Sequence, residues 1–200
     1  MTTAPAADRS PQMVILAGPN GAGKSTAAPN LLPDSLDLAR YLNADTIARG
    51  LSAFDPAAEA VAAGRILLAQ MADYIADRVD FAIETTMPGR SLAKRAADAK
   101  TAGYDVRLFF LYVPSPEFSV GRVARRVSAG GHHIPTDTIR RRHDAALRNF
   151  FQLYRPLADD WTLYDNTDPP PVPVATGRGT TPPTVLQPAL YDDLARRYAR

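Results

Sequence analysis

The chain has 200 residues, 46% of them hydrophobic and none of them cysteine, and its formal net charge is +2 at pH 7. This length fits one domain with its own core, while the missing cysteines exclude disulfides, thiolate metal sites and a thiol nucleophile. The chain contains no run of about twenty apolar residues, the length needed to span a membrane. Its net charge is close to neutral and does not indicate a nucleic-acid-binding surface, although arginines cluster at 122–148.

The first segment along the chain, residues 1–10, is rich in Ala, Thr and Pro and contains one acid and one base. It lacks the basic and then apolar layout of a secretion signal, so we expect a flexible tail on a cytoplasmic protein. Residues 11–165 are predicted to form the core of the fold, and residues 166–200 a proline-rich extension.

A phosphate-binding loop follows the first predicted strand, residues 13–17. The sequence GPNGAGKS at 18–25 matches G-x-x-x-x-G-K-[ST] in the strand–loop–helix setting that this motif requires. Its glycines let the backbone turn tightly with the N–H groups inward, and the following helix adds its positive end. Lys24 would hold the outer phosphates, and the Ser25 hydroxyl can bind Mg²⁺. The predicted nucleotide-binding residues are Gly18, Pro19, Asn20, Gly21, Ala22, Gly23, Lys24, Ser25 and Thr26.

Strands and helices alternate through the rest of the predicted core. Further strands are predicted at 39–43, 80–84, 106–113 and 161–164, and helices at 56–78, 91–101, 115–131 and 136–150. This alternation predicts a three-layer α/β/α fold with a five-stranded, mainly parallel sheet. The chain shows no internal repeat.

Local signals set the expected helix ends. Asp55 is predicted to cap the helix at 56–78, and Val61 to lie on its apolar face. Ser91 is predicted to cap the next helix and Gly103 to stop it, whereas Ser115 opens the helix after the fourth strand. Pro29 interrupts the helix that follows the phosphate-binding loop.

The segment 166–188 is crowded with Pro, Gly and Thr, which is typical of a disordered linker. Two apolar patches, at 172–175 and 184–186, favour extended edge segments that pack on the core instead. Residues 190–198 are predicted to form a short helix.

Asp45 follows the second predicted strand, at the sheet edge where ligands of parallel α/β folds bind. Its carboxylate could accept a proton from a substrate hydroxyl or hold magnesium through water. The alternative is a structural N-cap for the segment that begins there. Asn43 precedes it and is predicted to contact the substrate.

Glu84 follows the third predicted strand, and two hydroxyl residues, Thr85 and Thr86, come directly after it. An acid in this position holds Mg²⁺ in many P-loop proteins, although Asp is usual there. Glu84 could instead hydrogen-bond a substrate hydroxyl together with the two threonines, or pair structurally with an arginine.

A mobile lid is predicted at about 122–142, where two arginine-rich helices flank a Gly-Gly hinge. Closure of such a lid would bring guanidinium groups onto a phosphoryl group in transfer and exclude water. The leading candidates are Arg126, Arg140 and Arg141. A solvated basic face or a nucleic-acid patch would have the same composition. With so few histidines and no cysteine, a metal site at His132 and His133 is not favoured.

Five motifs occur in order: GPNGAGKST at 18–26, LNADTIA at 42–48, ETT at 84–86, RVSAGGHHIP at 126–135 and YDNT at 164–167. Together they resemble the zeta-toxin-like P-loop kinases, in particular the bacterial branch labelled predicted ABC-type ATPases. The resemblance covers about residues 13–190. The label does not imply a transporter ATPase, because the chain has neither an LSGGQ-like signature nor an Asp-Glu pair after an apolar strand.

The resemblance implies a kinase that uses ATP and Mg²⁺. Zeta toxins phosphorylate the 3′-hydroxyl of UDP-N-acetylglucosamine and are neutralised by a small helical antitoxin. By analogy, Asp45 would be the general base and Glu84 would bind the substrate. Arg126, with Arg140 or Arg141, would clamp the phosphates. Two alternatives remain: a kinase acting on another nucleoside, sugar or antibiotic hydroxyl, and a nucleotide-dependent switch without an acceptor.

Overall fold

The computed structural model describes residues 9–32, 40–56, 58–87, 89–131 and 133–199. Its elements are β1 (Gln12–Ala17), α1 (Lys24–Leu31), β2 (Tyr41–Asn43), α2 (Ala44–Leu51), α3 (Ala60–Ala76), β3 (Phe81–Thr85), α4 (Arg90–Thr101), β4 (Asp105–Tyr112), α5 (Pro116–Ser128), α6 (Thr136–Asn149) with a π-helical turn (Phe150–Tyr154), β5 (Asp160–Asp165), β6 (Val172–Gly177), β7 (Thr184–Val185) and α7 (Pro188–Tyr198). Within these ranges no helix is long and apolar enough to cross a bilayer.

The sheet has seven strands in the order β2-β3-β1-β4-β5-β6-β7, so the prediction of five strands was wrong in number. The first five are parallel, as predicted, whereas β6 and β7 run antiparallel to their neighbours. The added strands come from the proline-rich segment. The two apolar patches predicted to be extended edge segments, at 172–175 and 184–186, form β6 and β7, so that prediction is confirmed although the sheet was not expected to include them.

Apolar side chains from both faces of the sheet form the core. β1 is buried almost throughout, and the apolar run of β4 supplies buried residues to both faces, as expected for central parallel strands. The larger core cluster packs residues from α3, α4, α6, its π-helical turn and α7 against one face. A smaller cluster packs α1 and the phosphate-binding loop against the other. This arrangement is the three-layer α/β/α fold that the sequence predicted.

The helix at 56–78 is shorter than predicted, because the Asp55 side chain caps a separate turn. Asp55 Oδ1 accepts a hydrogen bond of 3.2 Å from the backbone N–H of Ala58, and α3 begins at Ala60 without a side-chain cap. Val61 does not face the core as predicted. It is 68% exposed, because the core-facing positions of α3 are Ala63, Leu67 and Met71.

Two of three other predicted helix ends are confirmed. The Ser115 side chain caps α5 by accepting from Phe118 N–H, and Gly103 stops α4 in a left-handed conformation at φ 84°. By contrast α4 begins at Arg90, one residue before the predicted cap Ser91, and has no side-chain cap. Residues 1–8 of the predicted tail lie outside the described ranges, and so does residue 39 of the predicted second strand. The division into core, lid and extension stays a prediction.

Candidate active site

The phosphate-binding loop fits against its neighbours only because three of its positions, Gly18, Gly21 and Gly23, lack a side chain. A Cβ on Gly18, where φ is 147°, would lie 2.4 Å from the Leu111 carbonyl oxygen of β4. A Cβ on Gly23, where φ is 82°, would lie 2.6 Å from Asn166 Nδ2, just after β5. The loop is therefore held between the carboxyl ends of β1, β4 and β5, with the N-terminus of α1 behind it.

Lys24 lies at the start of α1 and is only 7% exposed. Its Nζ donates to the backbone carbonyls of Gly18, at 2.9 Å, and Pro19, at 3.1 Å. Both carbonyls belong to the phosphate-binding loop, so the ammonium group of Lys24 lies against the loop in which the phosphates are expected to bind.

Several charged side chains set the electrostatics around this ammonium. Burial lowers the pKa of Lys24, the carboxylates of Glu84 and Asp45 raise it, and the guanidinium groups of Arg126 and Arg142 lower it. Two acids and two arginines therefore lie close enough to act on one lysine. A negatively charged ligand here would offset the cost of keeping the ammonium charged.

Glu84 is hydrogen-bonded to Ser25 at the junction of three strands. Ser25 Oγ donates to the carboxylate at 2.8 and 3.0 Å, and Tyr41 Oη donates to it at 2.6 Å. Burial and the contact with Glu84 raise the pKa of Tyr41, so this hydroxyl stays a donor. Ser25 and Glu84 thus form a pair of oxygen donors beside the phosphate-binding loop, of the kind that Mg²⁺ prefers.

Asp45 is not the cap of the helix in which it lies. Asn43 fills that role, since its Oδ1 accepts from the backbone N–H groups of Asp45, at 2.8 Å, and Thr46, at 3.3 Å. The Asp45 carboxylate is left exposed in the first turn of α2. Asp45 is therefore not the N-cap of this helix. The Asn43 side chain, which was predicted to contact the substrate, is the N-cap instead.

A cavity of about 590 Å³ opens beside these residues, between α2, α3, α6 and the carboxyl ends of β2 and β3. Its polar lining includes the sequence-predicted residues Lys24, Asn43, Asp45, Glu84, Thr85 and Thr86. Thr85 is committed in part to the local turn, because its hydroxyl accepts from the Met87 N–H at 2.9 Å. The structure therefore brings Lys24 of the phosphate-binding loop and the two predicted acids to one cavity.

The three consecutive arginines of the predicted lid, at 140–142, lie on different faces of α6. Arg142 lines the cavity together with Thr138, one turn earlier on α6. Arg140 does not line it. This side chain pairs with Glu117 at 3.2 Å and with Asp137 at 3.7 Å. Arg141 is exposed and also lies outside the lining. Successive helix positions turn by about 100°, so three consecutive arginines cannot share a face, and the periodicity from Thr138 selects Arg142.

Arg126 is exposed on α5 and acts on the pKa of Lys24. Of the two histidines in the loop between α5 and α6, His133 lines the cavity and His132 lies outside the described residues.

Two further residues that sequence analysis did not assign hold the phosphate-binding loop. Asn166 is buried and its Nδ2 donates to the Ala22 carbonyl at 2.6 Å. Arg122 lies over the Phe118 ring and donates to the carbonyls of Gly21, at 3.4 Å, and Thr167, at 2.8 Å. Asn166 lies in the YDNT motif, but these contacts join residues on separate elements, so the motif alone did not indicate that Asn166 or Arg122 holds the loop.

Several solved structures share this fold at low sequence identity. The AvrRxo1-ORF1:ORF2 complex with ATP matches with a TM-score of 0.74 and 16% identity, covering 92% of this chain and 63% of that one. The chain thus spans less than two thirds of that protein. A structure from the PezAT chromosomal toxin–antitoxin system of Streptococcus pneumoniae matches with a TM-score of 0.61 and 14% identity, over 95% and 86% of the two chains. An uncharacterized protein of Haemophilus influenzae is 28% identical over 130 residues, 65% of this chain and 91% of the relative.

A seven-stranded sheet with a phosphate-binding loop after β1 in its interior, and a cavity at the carboxyl ends of the neighbouring strands, defines a P-loop kinase-like protein. The sequence model of the Zeta toxin family matches residues 1–168. The chain belongs to that family, as its five motifs indicated.

Proposed function

We propose that the protein is an ATP-dependent phosphotransferase that transfers the γ-phosphoryl group to a small-molecule hydroxyl bound in the 590 Å³ cavity. The observation that carries the proposal is the meeting of Lys24 and Asp45 in that cavity. The first belongs to a phosphate-binding loop, and the second is a carboxylate whose helix is already capped by Asn43.

The chain's own residues would divide the work as follows. The loop N–H groups and Lys24 hold the β- and γ-phosphates, while Asp45 accepts the proton of the acceptor hydroxyl as it attacks. Arg126 and Arg142 neutralise charge on the phosphoryl group in transfer. Arg142 is proposed in place of Arg140 and Arg141 because it lines the cavity and they do not. Arg126 also lies outside the lining, and its place rests on its effect on the pKa of Lys24.

Ser25 and Glu84 fit the donor set of a Mg²⁺ site and would hold the ion. When bound, Mg²⁺ would neutralise part of the charge on the outer phosphates. This role for Glu84 differs from the substrate contact that the family resemblance implies.

The finer proposal is that the acceptor is the 3′-hydroxyl of UDP-N-acetylglucosamine, with the reaction in the cytoplasm and a small helical antitoxin as partner. Family membership supports it. The PezAT structure comes from a toxin–antitoxin system, and the AvrRxo1-ORF1 structure is a complex with AvrRxo1-ORF2.

The test is Asp45→Asn, which keeps the shape of the side chain and removes its basicity. We expect transfer from labelled ATP to fall by about 10² or more, since general-base catalysis contributes about 10²–10⁴, while ATP binding is retained. UDP-N-acetylglucosamine, nucleosides and free sugars are assayed as acceptors. Asp73→Asn is the matched control, because Asp73 is exposed on α3 and does not line the cavity.

The outcomes separate the proposals. Transfer to a nucleoside or sugar but not to UDP-N-acetylglucosamine would keep the kinase and reject the acceptor. Full transfer by Asp45→Asn would reject Asp45 as the base. No transfer to any acceptor, with ATP hydrolysis unaffected by Asp45→Asn, would favour a nucleotide-dependent switch.

A further inference from the structure

Helix α3 turns an apolar face toward the cavity. Ala60, Gly64 and Leu68 follow one another at intervals of four residues, and Val61 lies beside Ala60, so that all four line the cavity. Val61 is 68% exposed, although its sequence pattern predicted a core position. None of these four side chains carries a polar atom, so the strip that they form favours an uncharged group. Arg65, the one charged residue that α3 contributes to the lining, lies next to Gly64 in the chain.

Gly64 is unusual on this wall, because nothing in the protein requires a glycine there. It lies inside the 17-residue helix α3, where glycine is less favourable than alanine. A Cβ at this position would meet no atom within 4 Å, and Gly64 is not among the residues with positive φ. The space in front of its Cα belongs to the cavity.

We propose that Gly64 is a specificity-determining residue: an uncharged, flat ring of the acceptor lies against its Cα, between Val61 and Leu68, while the hydroxyl reaches Asp45. The inference rests on the proposed phosphotransferase function. A flat ring fits because it can approach bare helix backbone more closely than a puckered one. A nucleobase and an aromatic aglycone share this chemistry.

The experiment compares Gly64→Ala with Gly50→Ala. Gly50 lies in α2, also has open space at its Cβ position, and does not line the cavity. Both variants should melt at a slightly higher temperature than the wild type, because alanine favours the helix. Gly64→Ala should raise the KM of a ring-bearing acceptor about tenfold, as expected when an extra methyl group fills a close contact. The KM of ATP should not change.

Three kinds of acceptor distinguish the source of the ring: UDP-N-acetylglucosamine and nucleosides, phenyl glycosides, and N-acetylglucosamine without a flat ring. The KM increase should be confined to the kinds that carry one. Val61→Ala is a second variant, tolerated because the side chain is exposed, and it should raise the same KM by a few-fold.

If Gly64→Ala keeps the wild-type KM on an acceptor that the wild type phosphorylates, the role of Gly64 is rejected and the kinase stands. If Gly64→Ala melts at a lower temperature than the wild type and Gly50→Ala does not, the space at the Gly64 Cβ position is not open. That result also rejects the role of Gly64. If the wild type phosphorylates none of the acceptors, the proposed function and this inference fall together.

Discussion

Glu84 carries a carboxylate at the end of β3, directly beside the phosphate-binding loop. The sequence left open a magnesium ligand, a contact to a substrate hydroxyl and a structural ion pair. The structure places both carboxylate oxygens within 3.0 Å of Ser25 Oγ, the hydroxyl of the phosphate-binding loop. Tyr41 Oη also donates to this carboxylate, at 2.6 Å. These contacts favour the metal role, because Ser25 is the hydroxyl through which P-loops bind Mg²⁺.

Glu84→Gln should therefore raise the Mg²⁺ concentration needed for half-maximal turnover, since an amide lacks the negative charge of the carboxylate. Tyr41→Phe should raise it by about tenfold, within the range for groups that orient a metal ligand. Turnover is measured against Mg²⁺ at saturating ATP, with Glu59→Gln as the control outside the cavity lining. If Glu84→Gln leaves the Mg²⁺ dependence unchanged and raises the KM of the acceptor, Glu84 binds substrate instead.

Among the elements, the phosphate-binding loop depends on partners far along the chain. Its carbonyl at Ala22 is bound by Asn166 after β5, and its carbonyl at Gly21 by Arg122 on α5. Because these two carbonyls are bound by side chains outside the loop, the backbone N–H groups of the loop can point inward, as phosphate binding requires. We infer that Asn166 positions the loop without touching the nucleotide.

Asn166→Ala should weaken ATP binding by about tenfold, because a buried carbonyl loses its donor and the loop loses its fixed shape. Calorimetry gives the dissociation constant of ATP and urea denaturation the stability. Tyr104→Phe is the matched control: it removes a buried hydroxyl that donates to the carbonyls of Tyr74 and Val79, away from the loop. Both variants should lose stability, and only Asn166→Ala should lose ATP affinity. Equal ATP affinity in the two would reject the positioning role.

Across the whole molecule, the features that could be predicted from the sequence are those that a few neighbouring residues define. The phosphate-binding loop, the five parallel strands and the acids that follow two of them are each defined by a few neighbouring residues. The apolar patches of the proline-rich segment predicted extended edge segments, but their pairing with β5 in an antiparallel extension of the sheet was not predicted. Which of the three arginines lines the cavity depends on the phase of α6, and the contact of Tyr41 with Glu84 depends on the sheet register. These last features follow from tertiary packing, which no window of sequence contains.

The final prediction concerns the stability of the whole fold in the presence of ATP. Lys24 is buried, and burial lowers its pKa, so the protein without ATP holds this charge at a cost that phosphates would offset. ATP at a hundred times its dissociation constant stabilises a folded protein by about 2.7 kcal/mol. For a chain of this size the melting temperature should rise by about 5–10 °C.

Lys24→Ala should abolish this rise, because the variant loses the charge that holds the outer phosphates. Lys94→Ala is the matched control, since it removes the same charge from a surface pair with Asp98 and should keep the full rise. Differential scanning calorimetry with and without ATP gives both shifts. An undiminished rise in Lys24→Ala would mean that ATP binds elsewhere than in the glycine-rich loop. The cavity beside Asp45 would then have no phosphate donor, since the loop and that cavity share Lys24.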